Sequence, residues 1–385
     1  MKALRIVAVV HELSLSGAPR LTLDILEGIL GDRSVRVVSW AGGPLADAAR
    51  RLGPTVVLRD ARIARALPRR LATEHVIEAL AGGSARVRAR RQGLALRRWN
   101  PDLLYVSSVV SLPMVRMLRL ADVPVVLHVH EVGSAMAWFE RGNPGLIRSI
   151  PRRYVAVSRA VAHDLIANYH VPEEAVSVVH PYVTPPLPAP DVATDTRDGQ
   201  PLIVGGAGNP SWTKGIDLWL LAAREAVDRL GLDRLRFVWV GSRDNEAGLQ
   251  FRTMIAKLGL ENVVELVPET DRPYDNFARF DILALSSWEE SASMVVLEAM
   301  AMRIPVICFA PTGGPSEEVG EAGIVIPEIS PHLLADAIVD LVQSPEKRLA
   351  LGLAGAARDR EHFDRSASLA AIVQVFDDAL GSKSV

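Results

Sequence analysis

Ser286-Ser287-Trp288-Glu289-Glu290-Ser291-Ala292-Ser293-Met294-Val295-Val296-Leu297-Glu298-Ala299-Met300-Ala301-Met302 runs straight into Arg303-Ile304-Pro305-Val306-Ile307-Cys308-Phe309. A short polar turn meets an apolar helix with a single carboxylate, Glu298, in its middle. From Met294 to Met302 every other residue is apolar, so the helix is expected to be buried on nearly every side. A buried carboxylate without a partner is strongly unfavourable, so Glu298 needs one. Glu290 lies seven intervening residues upstream, where the turn enters the helix. About two turns, roughly 12 Å at 1.5 Å per residue, would separate the two carboxylates. One ligand several ångströms long would touch both, as a nucleotide sugar does with its sugar at one end and its ribose at the other. A purely structural reading is open as well. Ser287 to Glu290 fits a capping box, and a buried arginine would satisfy Glu298.

The bulk of the chain narrows the classes. Its 385 residues suffice for two domains, each with its own core. The 43 basic and 45 acidic residues nearly cancel, so nothing global points to nucleic acid or a polyacidic partner. Cys308 is the one cysteine, which excludes an intramolecular disulfide framework and suits a reducing compartment. The apolar core of residues 1–12 is too short for a signal peptide, and no run of 18 apolar residues occurs. A cytoplasmic protein is the expectation.

Residues 6–10 read as a buried strand of a parallel sheet. They break at a small-residue loop, 11–19, and a helix follows with Leu21, Ile25 and Ile29 on one face. Strand, loop and helix N-terminus together offer an anion site through N–H groups and partial positive charge; a plain strand-to-helix connection reads the same way. Further strands are expected at 35–40, 56–58, 102–106 and 124–131. The last carries His128 and His130 on one side and ends at Glu131, at the C-terminal end of a strand, where open α/β sheets place ligands. A structural histidine fits the position equally. Between these strands, residues 62–98 hold ten arginines (62, 65, 69, 70, 86, 88, 90, 91, 97, 98) against Glu74 and Glu78. Interleaved apolar residues suggest helices with a basic face, either simply solvated or docking on anionic lipid headgroups. An acidic or phosphorylated acceptor is a third option. The scarcity of aromatics argues against nucleic acid.

Residues 184–200 form the clearest linker, with Pro185, Pro186, Pro188 and Pro190. Behind it a second α/β unit begins: a strand at 202–204, a loop at 205–215 and a helix at 216–230. Lys214 in this glycine-rich loop is placed to neutralise a phosphate, although most surface lysines do no such thing. Strands follow at 237–240, 263–267, 281–285 and 323–327, then helices around 331–343, 346–360 and 366–380. There is no internal repeat, heptad seam or low-complexity tract.

The run from Ser287 to Gly314 resembles the glutamate–seven–glutamate motif of retaining glycosyltransferases of family 4. The motif is followed, as there, by Glu-Ala-Met-Ala, an Ile-Pro-Val strand and a Gly-Gly turn. The resemblance implies a GT-B fold: two Rossmann-like doubly wound α/β domains facing each other across a cleft. It assigns 1–183 to the acceptor-side domain, 201–365 to the donor-binding domain and 366–385 to a helix packing back on the first domain. It implies that Glu290 contacts the donor sugar hydroxyls and Glu298 the ribose hydroxyls. Lys214, in a matching Lys-Gly pair, would grip the diphosphate with Gly17, Ser293 and the backbone at Met294. His130 would lie near the reacting centre, with Glu131 as the alternative acid/base group. His130 and Glu290 are thus the catalytic candidates.

Catalysis would be largely electrostatic and would proceed by front-face attack, with no divalent metal and no cofactor beyond the donor substrate. The family's usual Phe-Gly or Phe-Pro after the first Glu is Ala292-Ser293 here. Its Arg five residues before the Lys is Asn209, for which Arg243 is the candidate substitute. His180-Pro181-Tyr182-Val183 replaces the usual Pro-Asn-Gly. The acceptor expected is a hydroxyl of a saccharide, a lipid-linked saccharide or a small molecule. Two rivals stand beside this reading: a GT-B-fold nucleotide-sugar epimerase, and a degenerate transferase serving as a non-catalytic partner subunit.

Overall fold

The structure is a computed structural model. It describes residues 4–59, 74–120, 122–184 and 200–381, with the backbone alone for 74–82. All but the ends of the linker therefore lie outside the described residues, as do Arg62, Arg65, Arg69 and Arg70. The chain divides into two units, Met1–Val179 with Ser366–Val385, and His180–Arg365.

The first unit is built on a seven-stranded parallel sheet, β1 (Arg5–Val10), β2 (Ser34–Ser39), β3 (Thr55–Val57), β4 (Leu103–Ser107), β5 (Val125–Val129), β6 (Arg153–Ala156) and β7 (Val176–Val178), in the order β3-β2-β1-β4-β5-β6-β7. β1, β4 and β5 are buried along nearly their whole length. They are covered by helices on both faces, which is why their sequences are continuous apolar runs rather than alternating ones. Strand order reverses between β1 and β4, so the loops after those two strands open at the switch point of the sheet.

Helix Glu74–Trp99 buries Ala85, Ala89, Gly93 and Leu96 on one stripe. A Cβ on Gly93 would come within 2.1 Å of the Leu118 carbonyl oxygen, so glycine is what lets the helix lie against its neighbour Leu112–Leu118. Helix Arg365–Leu380 completes this unit from the far end of the chain. Phe376 meets Tyr105 edge-to-face at 5.3 Å, and Ile372, Val375 and Ala379 are buried beside it.

The second unit has a six-stranded parallel sheet, β8 (Leu202–Ala207), β9 (Leu235–Ser242), β10 (Val264–Pro268), β11 (Ile282–Ala284), β12 (Val306–Phe309) and β13 (Ile324–Ile326), in the order β10-β9-β8-β11-β12-β13. Again the switch point falls beside the first strand of the unit, here between β8 and β11. β8 is longer than its sequence suggests: Gly205, Gly206 and Ala207 continue the strand rather than opening the loop. The Phe280 ring sits 2.1 Å from where a Gly205 Cβ would be, and the Trp239 ring 2.5 Å from that of Gly206. These glycines are therefore packing residues of the sheet rather than flexible loop residues. The stretch from His180 packs with this unit. His180 Nε2 meets Glu317 Oε1 at 3.1 Å, its ring lies edge-on to Phe363 at 5.5 Å, and Val183 packs on the core.

Among the described residues no helix is long and apolar enough to cross a membrane.

Candidate active site

Two loops at the C-terminal ends of β8 and β11 are fastened to each other. The chain leaves β8 through Gly208 and makes a short 3₁₀ turn, Trp212–Lys214, before Gly215. Gly215 has φ +59°, and a Cβ there would lie 1.9 Å from the Ser286 carbonyl oxygen, an approach only glycine permits. Ser286 Oγ donates to the Lys214 carbonyl at 3.0 Å, and the Trp288 N–H donates to the Thr213 carbonyl at 2.7 Å. This interlock delivers the Lys214 ammonium into an ion pair with the Glu290 carboxylate. Ser287 Oγ donates to the same carboxylate oxygen at 3.2 Å. Both charged side chains are partly buried, which strengthens their attraction relative to a surface pair.

The backbone of Glu290 belongs to a different element from the one its sequence suggests. Its N–H donates to the Thr312 carbonyl at 2.9 Å, and its carbonyl accepts from Gly314 at 3.0 Å, forming an isolated parallel bridge to Gly313. The helix begins only at Met294, capped by Ser293, whose Oγ accepts the Val296 N–H. The capping box at Ser287 does not form, and Glu290 and Glu298 are not two helical turns apart. The turn after β12 takes up the Glu290 backbone groups, so the helix starts at the next residue with extended φ and a hydroxyl to spare. Glu298 is buried within the helix Met294–Ala301, at 8% exposure.

Glu318, which the sequence reading passed over, completes the arrangement. It is wholly buried on helix Gly314–Val319 and accepts the Ser293 N–H on both carboxylate oxygens, at 2.9 and 3.1 Å. Burial pushes its carboxyl well above the ordinary range. The Ser293 hydrogen bonds oppose that shift, the nearby charges of Glu290 and Glu317 add to it, and Lys214 offsets part of it. The only trace of Glu318 in the sequence is a carboxylate four residues past the Gly313-Gly314 turn, a pattern shared with many surface glutamates. Arg243 follows β9 and holds Glu269 with both Nε and Nη2 at 3.0 Å. Its described partner is therefore a carboxylate rather than an open anion site.

In the first unit Gly17 opens helix Gly17–Gly28 just past the end of β1. The loop before it is held by Ser14 Oγ, which lies 2.7 Å from Glu12 Oε1 and 2.8 Å from Ser16 Oγ. At the end of β5 the His128 and His130 rings lie 4.2 Å apart, centroid to centroid. The buried Tyr105 phenol stays protonated, since burial raises its pKa, and it faces His128 Nδ1 at 2.6 Å. Burial lowers His128 well below the usual imidazole range and brings His130 down to about 4. Both rings are therefore neutral at physiological pH. Glu131 accepts from Ser108 Oγ and from the N–H groups of Val109 and His130, both at 3.2 Å. Burial raises its carboxyl, and those hydrogen bonds hold the rise back.

Among the described residues, Glu225, His332 and Asp336 bring side-chain donor atoms within 4.8 Å of one another. A cation already occupies that cluster: the Arg229 guanidinium lies 2.6 Å from Asp336 and 3.6 Å from Glu225.

Comparison with known proteins places the chain by family and fold. Residues 17–185 match the model of glycosyltransferase family 4, and residues 200–344 match that of glycosyl transferases group 1. A D-inositol 3-phosphate glycosyltransferase of Thermobispora bispora is 30% identical over 306 residues, covering 74% of this chain and 67% of that protein. The enzyme of the same name from Corynebacterium glutamicum is 29% identical over 236 residues, 58% of this chain and 56% of its own length. The chain thus spans between about half and two thirds of the curated relatives it matches.

Among solved structures, Alr3699/HepE of Anabaena, in complex with UDP and glucose, superposes with TM-score 0.76 at 18% identity, over 97% of this chain and 99% of that one. Sucrose-phosphate synthase of Thermosynechococcus elongatus gives 0.76 at 16%, over 99% and 100%. The two parallel sheets and these neighbours define a GT-B glycosyltransferase fold. The chain belongs to glycosyltransferase family 4.

Proposed function

We propose that the protein transfers a sugar from a nucleotide-diphosphate sugar to an acceptor hydroxyl with retention of configuration. The observation that carries this reading is the Lys214–Glu290 pair, set beside the capped N-terminus of helix Met294–Ala301. A fixed cation and the first N–H groups of a helix are what a departing diphosphate needs, because they stabilise negative charge as it develops. In this reading Lys214, Ser293 and the backbone at Met294 hold the diphosphate, Glu290 binds the sugar hydroxyls and Glu298 the ribose hydroxyls. The bond from the anomeric carbon to the diphosphate oxygen breaks with its electron pair on that oxygen. The acceptor oxygen bonds to the same face of the carbon, and its proton passes to the leaving phosphate. No step calls on a metal. The neutral imidazole of His130 positions the acceptor. Arg243 serves the diphosphate only if the donor displaces it from Glu269.

Products would belong to cell-surface polysaccharide, glycolipid or natural-product glycoside synthesis. Helix Glu74–Trp99 supports docking at an anionic membrane surface. Arg86, Arg90, Arg91 and Arg98 are exposed on the face opposite its buried stripe, with Val87 and Leu94 exposed among them.

Calorimetric titration with UDP-, GDP- and TDP-sugars tests the transferase reading, comparing wild type with Glu298→Ala. One donor should bind selectively, lose that binding in the variant and release nucleotide diphosphate slowly without acceptor. Failure of every donor to bind would overturn the reading.

A further inference from the structure

A cavity of about 640 Å³ lies wholly within the first unit, lined by Val110, Pro113, Trp138, Phe139, Arg141 and Asn143 among others. That volume suits a small organic molecule. Its walls are tied to the His130–Glu131 edge of the sheet. Val110 belongs to the turn Val109–Ser111 after β4, whose first N–H donates to the Glu131 carboxylate. Trp138, Phe139, Arg141 and Gly142 belong to helix Ser134–Gly142, which starts three residues beyond Glu131. The cavity therefore opens at the C-terminal edge of β4 and β5, where parallel sheets present ligands.

The lining has a definite chemistry. Trp138 is 76% exposed and Val110 38%, while Phe139 is buried behind them. An indole this exposed beside other apolar groups is a hydrophobic surface that water covers at a cost. Val110, Pro113 and Ala135 extend the apolar wall, no acidic residue lines the cavity, and one cation, Arg141, does. Arg141 is exposed and makes no ion pair among the described residues. An apolar floor with a guanidinium at its margin selects an apolar body that carries an anionic group.

We propose that this cavity is the acceptor pocket and that the acceptor is an amphiphile. Its ring or chain lies on Trp138, Val110 and Pro113, and its anionic group is held by Arg141. This rests on the transferase reading above, and it narrows the acceptor to a class that a bare polyol phosphate does not satisfy.

The test is calorimetric titration of the full chain with 1-naphthyl phosphate, 1-naphthol, inorganic phosphate and D-inositol 3-phosphate. Wild type is compared with Trp138→Ala, Trp138→Phe and Arg141→Gln. 1-Naphthyl phosphate should bind wild type. Its affinity should fall at least about tenfold in Trp138→Ala, recover largely in Trp138→Phe, and fall several-fold in Arg141→Gln. Inorganic phosphate and D-inositol 3-phosphate should bind far more weakly and show no response to Trp138→Ala. Equal binding of 1-naphthyl phosphate to wild type and Trp138→Ala would overturn the pocket, as would equal binding of 1-naphthol and its phosphate. UDP titrated in parallel separates the two readings. Intact UDP binding with a failed pocket removes this inference alone. A pocket that behaves as described in a chain that binds no nucleotide or nucleotide sugar would leave an amphiphile site and remove the transferase reading. Trp138 is largely exposed, so unchanged thermal unfolding of its variants checks that any loss is local.

Discussion

The Ser293 N–H donates to both carboxylate oxygens of Glu318, at 2.9 and 3.1 Å, in a place closed to solvent. Ser293 is also the residue that caps helix Met294–Ala301. A buried carboxyl thus fixes the start of the helix that faces the proposed diphosphate. Glu318→Ala leaves that N–H without an acceptor, and the unfolding free energy should fall by about 1–3 kcal/mol. Glu318→Gln keeps an acceptor oxygen for that N–H and carries no charge for burial to disfavour, so it should stay close to wild type. Urea unfolding followed by tryptophan fluorescence measures both. An Ala variant as stable as wild type would show that the contact is not what holds the turn.

Lys214 and Glu290 neutralise each other while the donor is away. Lys214→Ala should weaken binding of nucleoside diphosphate at least tenfold, an effect of about 1.4 kcal/mol or more, because its charge has no substitute in the interlocked loops. Glu290→Gln should leave nucleoside diphosphate binding within a few-fold of wild type but sharply reduce turnover of the donor, since the proposed contact is with the sugar. Parallel titration and product release distinguish the two roles.

Gly215 is where a side chain cannot go. Its φ of +59° disfavours L-residues, and a Cβ would meet the Ser286 carbonyl oxygen at 1.9 Å. Gly215→Ala should break the interlock and abolish donor binding. Gly83→Ala, on a helix with nothing within 4 Å of its Cβ position, should be tolerated. Circular dichroism with donor titration checks the pair.

The stability of the first unit should depend on pH through His130. Burial lowers its pKa from 6.5 to about 4, so the folded form prefers the neutral ring. In the window between those values the unfolded chain binds the proton and the folded one does not. The contribution is therefore fully present above pH 6.5 and is lost as pH falls toward 4. At 1.36 kcal/mol per unit the loss is at most about 3 kcal/mol. Wild type should lose that much more stability than His130→Asn across the window. Parallel pH profiles would contradict it.

The arginine face of helix Glu74–Trp99 gives a fifth expectation. Sedimentation with vesicles containing phosphatidylserine should pull down wild type at low salt. A Gln replacement of Arg86, Arg90, Arg91 and Arg98 together should release it, at about 1 kcal/mol per charge. Binding equally strong to neutral vesicles would rule out a headgroup role.

Much of this protein was legible in the chain itself. Continuous apolar runs such as Ile6–Val10 and Val306–Phe309 specify strands buried on both faces, and the spacing of Leu21, Ile25 and Ile29 specifies the helix between strands. These are local patterns, and a parallel α/β fold follows from them because such strands must be covered on both sides. The spacing of Glu290 and Glu298, with Lys214 before Gly215, marked the candidate site through its resemblance to family 4. The sequence could not say that Glu290 lies outside the helix, because its backbone bonds run to Thr312 and Gly314, about twenty residues away. It could not single out Glu318 for the same reason: the partner is a backbone N–H at Ser293, and a backbone N–H leaves no mark on composition. Nor did it show that Gly205 and Gly206 belong to a strand, which the Phe280 and Trp239 rings decide, or that Trp138 stands exposed beside Arg141. Periodicity and turn chemistry are written in neighbouring residues, whereas partners brought together by the closing of a sheet appear only when the chain is folded.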